Sequence, residues 1–133
     1  DLRADHWWNF RLAGLIAAGP LDTMLHLHTS FDLAPDVSIA DYQKVLDRFS
    51  EDMLARGLLL RTGPILERCQ HPVMDTDEER GHQYIFVMSF TDREQCDAAV
   101  EHIKNGNSSS DPIHRAIYKD IISPIFSCWA DPD

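Results

Sequence analysis

The chain has 133 residues, 44% of them hydrophobic, which suffices for one domain with an ordinary core and leaves no room for a second. Lys and Arg total 12 against 22 Asp and Glu, a formal net charge of -10, so polyphosphates meet general repulsion; nucleic acid and anionic membrane surfaces are set aside as partners. The three cysteines, Cys69, Cys96 and Cys128, are odd in number and lack CxxC spacing, so they read as reduced thiols of a cytoplasmic protein, each a small core residue.

Residues 1–23 form an arm ahead of the domain, which is expected to occupy 24–133. Asp5 to Ala18 has Trp8, Leu12, Leu15 and Ile16 at helical spacing and stops at Gly19-Pro20. The arm is too acidic and its apolar stretch too short for a signal peptide, and its aromatics argue for docking on the domain or on a partner. No segment approaches the ~20 apolar residues of a membrane span.

From Met24 the period changes to two. Leu25, Leu27, Thr29 and Phe31 take one face of a strand; His26, His28 and Ser30 take the other. Ser38 with Asp41 makes a capping box for a helix that carries Ile39, Tyr42, Leu46, Phe49 and Met53 on one side and ends at Gly57. Leu58 to Arg68 reads as a strand broken at Gly63-Pro64, because proline has no N–H for a ladder.

His71 to Gly81 is an acidic, solvated loop whose spacing does not fit a calcium-binding loop. His82 to Phe90 is the strongest strand, with Tyr84, Phe86, Met88 and Phe90 alternating against Ile85, Val87 and Ser89 and both faces apolar. Thr91 with Glu94 reads as a second capping box, followed by a helix with Cys96, Ala99, Val100 and Ile103 inward and a stop at Gly106. Pro112 opens a short helix expected to reach Pro124, and Ile125 to Trp129 forms the last strand.

This order, β-α-β-β-α-(α)-β, predicts an α+β fold: a ferredoxin-like four-stranded antiparallel sheet covered by helices on one face. The other face needs a cover. Packing two sheets across a twofold axis supplies one, so a homodimer, a dimeric α+β barrel, is the expected assembly.

The C-terminal stretch resembles the stress-responsive dimeric α+β-barrel proteins, relatives of the antibiotic-biosynthesis monooxygenases. The matching residues are Asp111-Pro112-Ile113-His114 as an x-Pro-x-His turn into a helix, Pro124 before the last strand, and Asp131 after it. The resemblance implies a small-molecule cavity under the helices, but members differ in reaction and fold alone does not select one. In the plant polyketide cyclases that resemble this family, the turn His is a general base and a first-strand His joins it. By position His114 matches the base, and His26 or His28 the strand His. Those cyclases carry a Tyr six residues before the turn His, where this chain has Ser108.

An imidazole suits proton transfer near neutrality, so His114, His26 and His28 are the candidate catalytic residues. Tyr42, Tyr84, Phe86 and Trp129 are the candidate lining of an apolar pocket. A metal held by His26, His28 and His114 lacks a further sequence-local ligand, and no cofactor is expected. The resulting expectation is a cytoplasmic homodimer that binds a small apolar or aromatic ligand and carries out cofactor-free proton transfer, isomerisation, cyclisation or oxygenation. The rival is a non-catalytic dimer with structural histidines.

Overall fold

The computed structural model describes residues 22–107 and 112–132, with the side chains of 106, 107 and 112–114 outside that description. The expected N-terminal helix lies outside the described residues. Strand β1 (Leu25–Leu33) is followed by helix α1 (Ile39–Ala55), strands β2 (Arg61–Thr62), β3 (Leu66–Glu67) and β4 (Tyr84–Phe90), helices α2 (Arg93–Asn107) and α3 (Pro112–Lys119), and strand β5 (Ile121–Ala130).

The sheet is antiparallel with order β2-β4-β1-β5, and β3 also pairs with β4. This is the ferredoxin-like α+β arrangement. The first and last strands lie side by side, with Thr29 opposite both Phe86 and Phe126.

Period-two alternation decides which face is covered. Leu25, Leu27, Thr29 and Phe31 are buried beneath the helices together with Phe86, Met88 and Phe90. Phe31 sits at the centre of an aromatic group, with ring centroids 5.2 Å from Tyr42, 5.6 Å from Tyr84 and 5.7 Å from Phe86. The Tyr42 ring is tilted, Tyr84 stacked and Phe86 edge-on to Phe31, and such pairs add about 0.5–1.5 kcal/mol each beyond area burial. Tyr42 closes the group on α1, and its hydroxyl donates to the Ile117 carbonyl of α3 at 2.6 Å.

Helix α1 begins as its sequence predicts: Ser38 Oγ accepts from the Asp41 N–H at 3.1 Å. It ends at Gly57, whose φ of 72° suits a residue without Cβ; the Gly57 N–H bonds the Leu54 carbonyl and the Leu58 N–H that of Met53. The start of α2 differs by one residue from the expected Thr91–Glu94 box. Asp92 Oδ1 accepts from the Gln95 N–H at 2.8 Å, and the Gln95 side chain accepts from the Thr91 N–H. A carboxylate accepts backbone N–H bonds more strongly than a hydroxyl, and Asp92 takes the cap.

The last strand also begins earlier than predicted. Helix α3 stops at Lys119, and Ile121 and Ile122, assigned to the helix from their spacing, open β5 instead. Ser30 pairs with Ile125 but Asp32 pairs with Ile122, so β5 holds one extra residue around Ser123-Pro124. That β-bulge lets a strand contain a proline, and Ser123 adopts a positive φ of 48° within it. Among the cysteines, Cys96 is buried as expected, whereas Cys69 is exposed because it lies beyond β3 in the loop. No described helix is long and apolar enough to cross a membrane.

Candidate functional site

Because the alternate residues of β1 fill the core, His26, His28 and Ser30 project from the face that the helices leave open. Cross-strand pairing brings Ser89, Val87 and Ile85 of β4 and Trp129, Ser127 and Ile125 of β5 onto the same face. The expectation of a pocket beneath the helices is therefore corrected. That side is closed by packed side chains, and the strand histidines lie on the other.

The open face is mixed in chemistry. Ile125 is 42% and Trp129 63% exposed, which leaves large apolar surface in water beside polar neighbours. The His28 ring lies 6.3 Å from Trp129, tilted by 58°, and the indole N–H donates to Ser127 Oγ at 3.0 Å. His26 is held from both sides: Nδ1 lies 2.8 Å from Ser89 Oγ and Nε2 lies 2.8 Å from Asp131 Oδ1. An Asp131 carboxylate can only accept, which places the hydrogen of the neutral ring on Nε2 and leaves Nδ1 to accept from the Ser89 hydroxyl. The order carboxylate, imidazole, hydroxyl is that of acyl-transfer triads, but Ser89 is 3% exposed and has no access to a substrate.

At the β3 end of this face is a cleft of about 290 Å³. Ser30, Ile85, Ile125 and Ser127 contribute from the sheet, and Glu67, Arg68, Asp75, Asp77, Arg80 and His82 from the loop that follows β3; Tyr84 borders it. The loop was expected to be merely solvated. It is instead built around Arg68, whose Nε and Nη2 donate to the two Asp75 oxygens at 2.7 and 2.9 Å.

Arg68 Nη2 also donates to the Asp77 carbonyl at 2.7 Å and Nη1 to the Arg80 carbonyl. Asp77 in turn accepts from Arg80 Nε at 2.7 Å and from the backbone N–H groups of Glu79 and Arg80. The Arg68 hydrogen bonds hold the Asp75 carboxyl below the usual carboxylate range, and the Arg80 backbone N–H does the same for Asp77. The Asp75 pair raises the Arg68 guanidinium above its usual value.

His82 links this loop to the far edge of the sheet. Its Nε2 donates to the Ser123 carbonyl at 2.6 Å, across the end of β1, and its Nδ1 is buried without a hydrogen-bond partner among the described residues. The bulge turns the Ser123 carbonyl out of the β-ladder toward that ring.

The sequence-predicted residues separate accordingly. His26 and His28 share the open face with Trp129, and Tyr84 borders the cleft. Tyr42 and Phe86 are fully buried core residues, so the pocket-lining expectation for them is corrected: packing of Phe31 against both rings leaves no space for a ligand. Burial pushes the Tyr42 and Tyr118 phenols well above their ordinary range, which keeps both neutral. His114 belongs to α3, which packs on the helical side, and its side chain lies outside the described residues.

Sequence reasoning missed Ser89 and Asp131 as partners of His26, although alternation in β4 already put Ser89 on the non-core face. It also missed Arg68 and His82, whose partners come from distant segments. Among the described residues, no group of His, Cys, Asp and Glu has the arrangement of a metal site.

No family model matches the chain, and no curated protein matches it. Among solved structures it is similar to a protein of unknown function from Rhodopseudomonas palustris, at 13% identity and a TM-score of 0.54, covering 92% of both chains. The methylated form of that same Rhodopseudomonas palustris protein gives 11% identity and a TM-score of 0.50 over 92% of this chain and 90% of that one. A dimeric ferredoxin-like protein of unknown function from Thermobifida fusca shares 13% identity at a TM-score of 0.49, covering 81% and 91%. At these identities the likeness to the first two structures bears on the fold alone, which the strand order β2-β4-β1-β5 gives as ferredoxin-like.

Proposed function

We propose that the protein is a homodimer whose two open sheet faces pack across a twofold axis and enclose a chamber for a small apolar or aromatic molecule. The observation that carries this reading is the composition of the open face: Ile125 and Trp129 are exposed beside His28, on a sheet whose other face is already fully packed. Covering that apolar surface is favourable by about 25 cal/mol per Å² removed from water. The charge of -10 and the histidine-bearing face favour a small-molecule function over a polyanion-binding one.

Within the chamber His28 is the group available for proton transfer, because His26 is committed through both nitrogens to Ser89 and Asp131. His114, the base implied by family resemblance, is carried by a helix on the opposite side of the sheet and stands as a further candidate. A second reading, a binding dimer without catalysis, is favoured by that same commitment of His26, which gives one of the strand histidines a structural task.

The test combines assembly with ligand response. Sedimentation equilibrium should find a dimer for the wild type and a folded monomer for Ile125→Arg. With a ligand identified by nuclear magnetic resonance screening, His28→Ala should abolish turnover while His26→Ala lowers stability. Unchanged turnover in His28→Ala would favour the non-catalytic reading, and a monomeric wild type that binds none of the screened compounds would remove both.

A further inference from the structure

The 68–82 loop lies on the open side of the sheet, since Asp75, Asp77 and Arg80 wall the same cleft as Ser30 of β1 and Ile125 and Ser127 of β5. Its tip is held by hydrogen bonds. His71 Nδ1 accepts from the Val73 and Met74 N–H groups at 3.1 and 3.0 Å, and the His71 carbonyl accepts from the Asp75 N–H at 3.0 Å. This turn holds two adjacent apolar side chains out in water, Val73 72% and Met74 81% exposed. Apolar residues presented together in this way form a contact patch.

The opposite end of the same face carries its complement. The register aligns Arg61 of β2, Ser89 of β4, His26 of β1 and Trp129 of β5 in one row across the sheet. Trp129, 63% exposed, ends the row on one side. Arg61 ends it on the other, exposed and without an ion pair among the described residues. On the loop, Glu78 and Glu79 are likewise exposed and without ion pairs among the described residues. An apolar tip followed by free carboxylates thus has, on the same face, a counterpart made of an exposed indole and a free guanidinium.

Two copies that meet through their open faces are related by a twofold axis lying between the sheets. An axis along the strands lays each loop on the partner's loop. Packed sheets are only ~10 Å apart, which leaves no room for two loops, and their carboxylates repel. An axis across the strands instead carries each loop to the far end of the partner's strands. From this we infer that the loop of each copy crosses onto the partner's row, with Val73 and Met74 against the partner's Trp129 and with Glu78 and Glu79 paired to the partner's Arg61. His28 occupies the next row, so the chamber around it is walled by both chains and is incomplete in one. The inference rests on the proposed face-to-face dimer and assigns its arrangement.

Charge exchange between copies of the intact chain tests it by sedimentation equilibrium. Arg61→Glu, and separately Glu78→Arg combined with Glu79→Arg, should each weaken the homodimer at least about tenfold, because every loop then meets like charge. An equimolar mixture of the two should recover a heterodimer of near wild-type affinity, since both of its contacts again join opposite charges. In wild-type dimers of one isotope-labelled and one unlabelled copy, the Met74 methyl should show nuclear Overhauser contacts to the partner's Trp129. A wild-type dimer without those contacts, variants that dimerise as tightly as the wild type, or a mixture that dimerises no better than either variant overturns the loop exchange and leaves the face-to-face dimer standing. A monomeric wild type overturns both.

Discussion

Asp131 Oδ1 lies 2.8 Å from His26 Nε2, so the residue just beyond β5 fixes the ring orientation of a residue at the start of β1. The backbone reinforces this closure, since the Asp131 N–H donates to the Met24 carbonyl at 3.0 Å. The neutral imidazole is thereby restricted to one tautomer, with hydrogen on Nε2. Nitrogen-15 chemical shifts of the His26 ring should report that tautomer in the wild type. Asp131→Asn, which can offer a donor in place of the carboxylate, should yield a mixture of tautomers. The pair is half exposed at Asp131, so the stability change in urea should stay within about 1 kcal/mol.

Thr29 is buried under the helices, and its hydroxyl has no hydrogen-bond partner among the described residues. Thr29→Val replaces that hydroxyl with a methyl group of similar shape. The expected outcome is a gain of about 1–2 kcal/mol in unfolding free energy, because a desolvated polar group is removed without opening a cavity. A loss of stability in denaturant titration would show that the hydroxyl is satisfied in solution.

Tyr42 offers the opposite case, a buried hydroxyl whose bond to the Ile117 carbonyl is short at 2.6 Å. Tyr42→Phe should cost about 1 kcal/mol, and Tyr42→Ala about 3–5 kcal/mol through loss of the ring from the Phe31 group. Thermal unfolding of both variants checks the order.

Thiol chemistry should separate the cysteines. Burial pushes the Cys96 thiol up to about 12, and it has almost no exposed surface, whereas Cys69 is exposed in the loop. An alkylating reagent near neutral pH should modify Cys69 first and leave Cys96 unmodified until the protein unfolds, with Cys128 intermediate. Mass spectrometry of time points gives the order directly.

The 68–82 loop should loosen in acid. Asp75 and Asp77 titrate lower when folded than when unfolded, so their contribution is fully present above the ordinary carboxylate value of about 3.9 and is lost as pH falls through the depressed values. Amide exchange in the loop should accelerate over that acidic window while β1 and β4 remain protected. Arg68→Gln should bring the same loosening at neutral pH.

Alternation and capping made most of the fold readable in advance. Leu25, Leu27, Thr29 and Phe31 on one side, and Ser38 before an apolar helical face, are local signals that tertiary packing obeyed. The α3–β5 boundary was not readable. Ile113, Ile117 and Ile121 keep helical spacing, and the pairing of Ile121 with Leu33 that makes it a strand residue is a contact between distant segments. The same distinction applies to the site. The side of the sheet on which His26 and His28 sit followed from parity, but which side the helices leave uncovered followed from where Phe31 and Tyr42 meet. Arg68 read as one more charge in a polar run because its role depends on Asp75, Asp77 and Arg80 folding back around it.

The bulge at Ser123-Pro124 bears on how two copies can associate. Among the described residues β5 is the terminal strand of the sheet, ten residues long, and a straight edge of that length is a template for adding a foreign strand. Pro124 has no N–H to offer and the Ser123 carbonyl is turned to His82, so the free edge is divided into short stretches that do not line up. Continuous strand-to-strand growth along β5 is thereby disfavoured, which agrees with the proposed dimer meeting through its open faces.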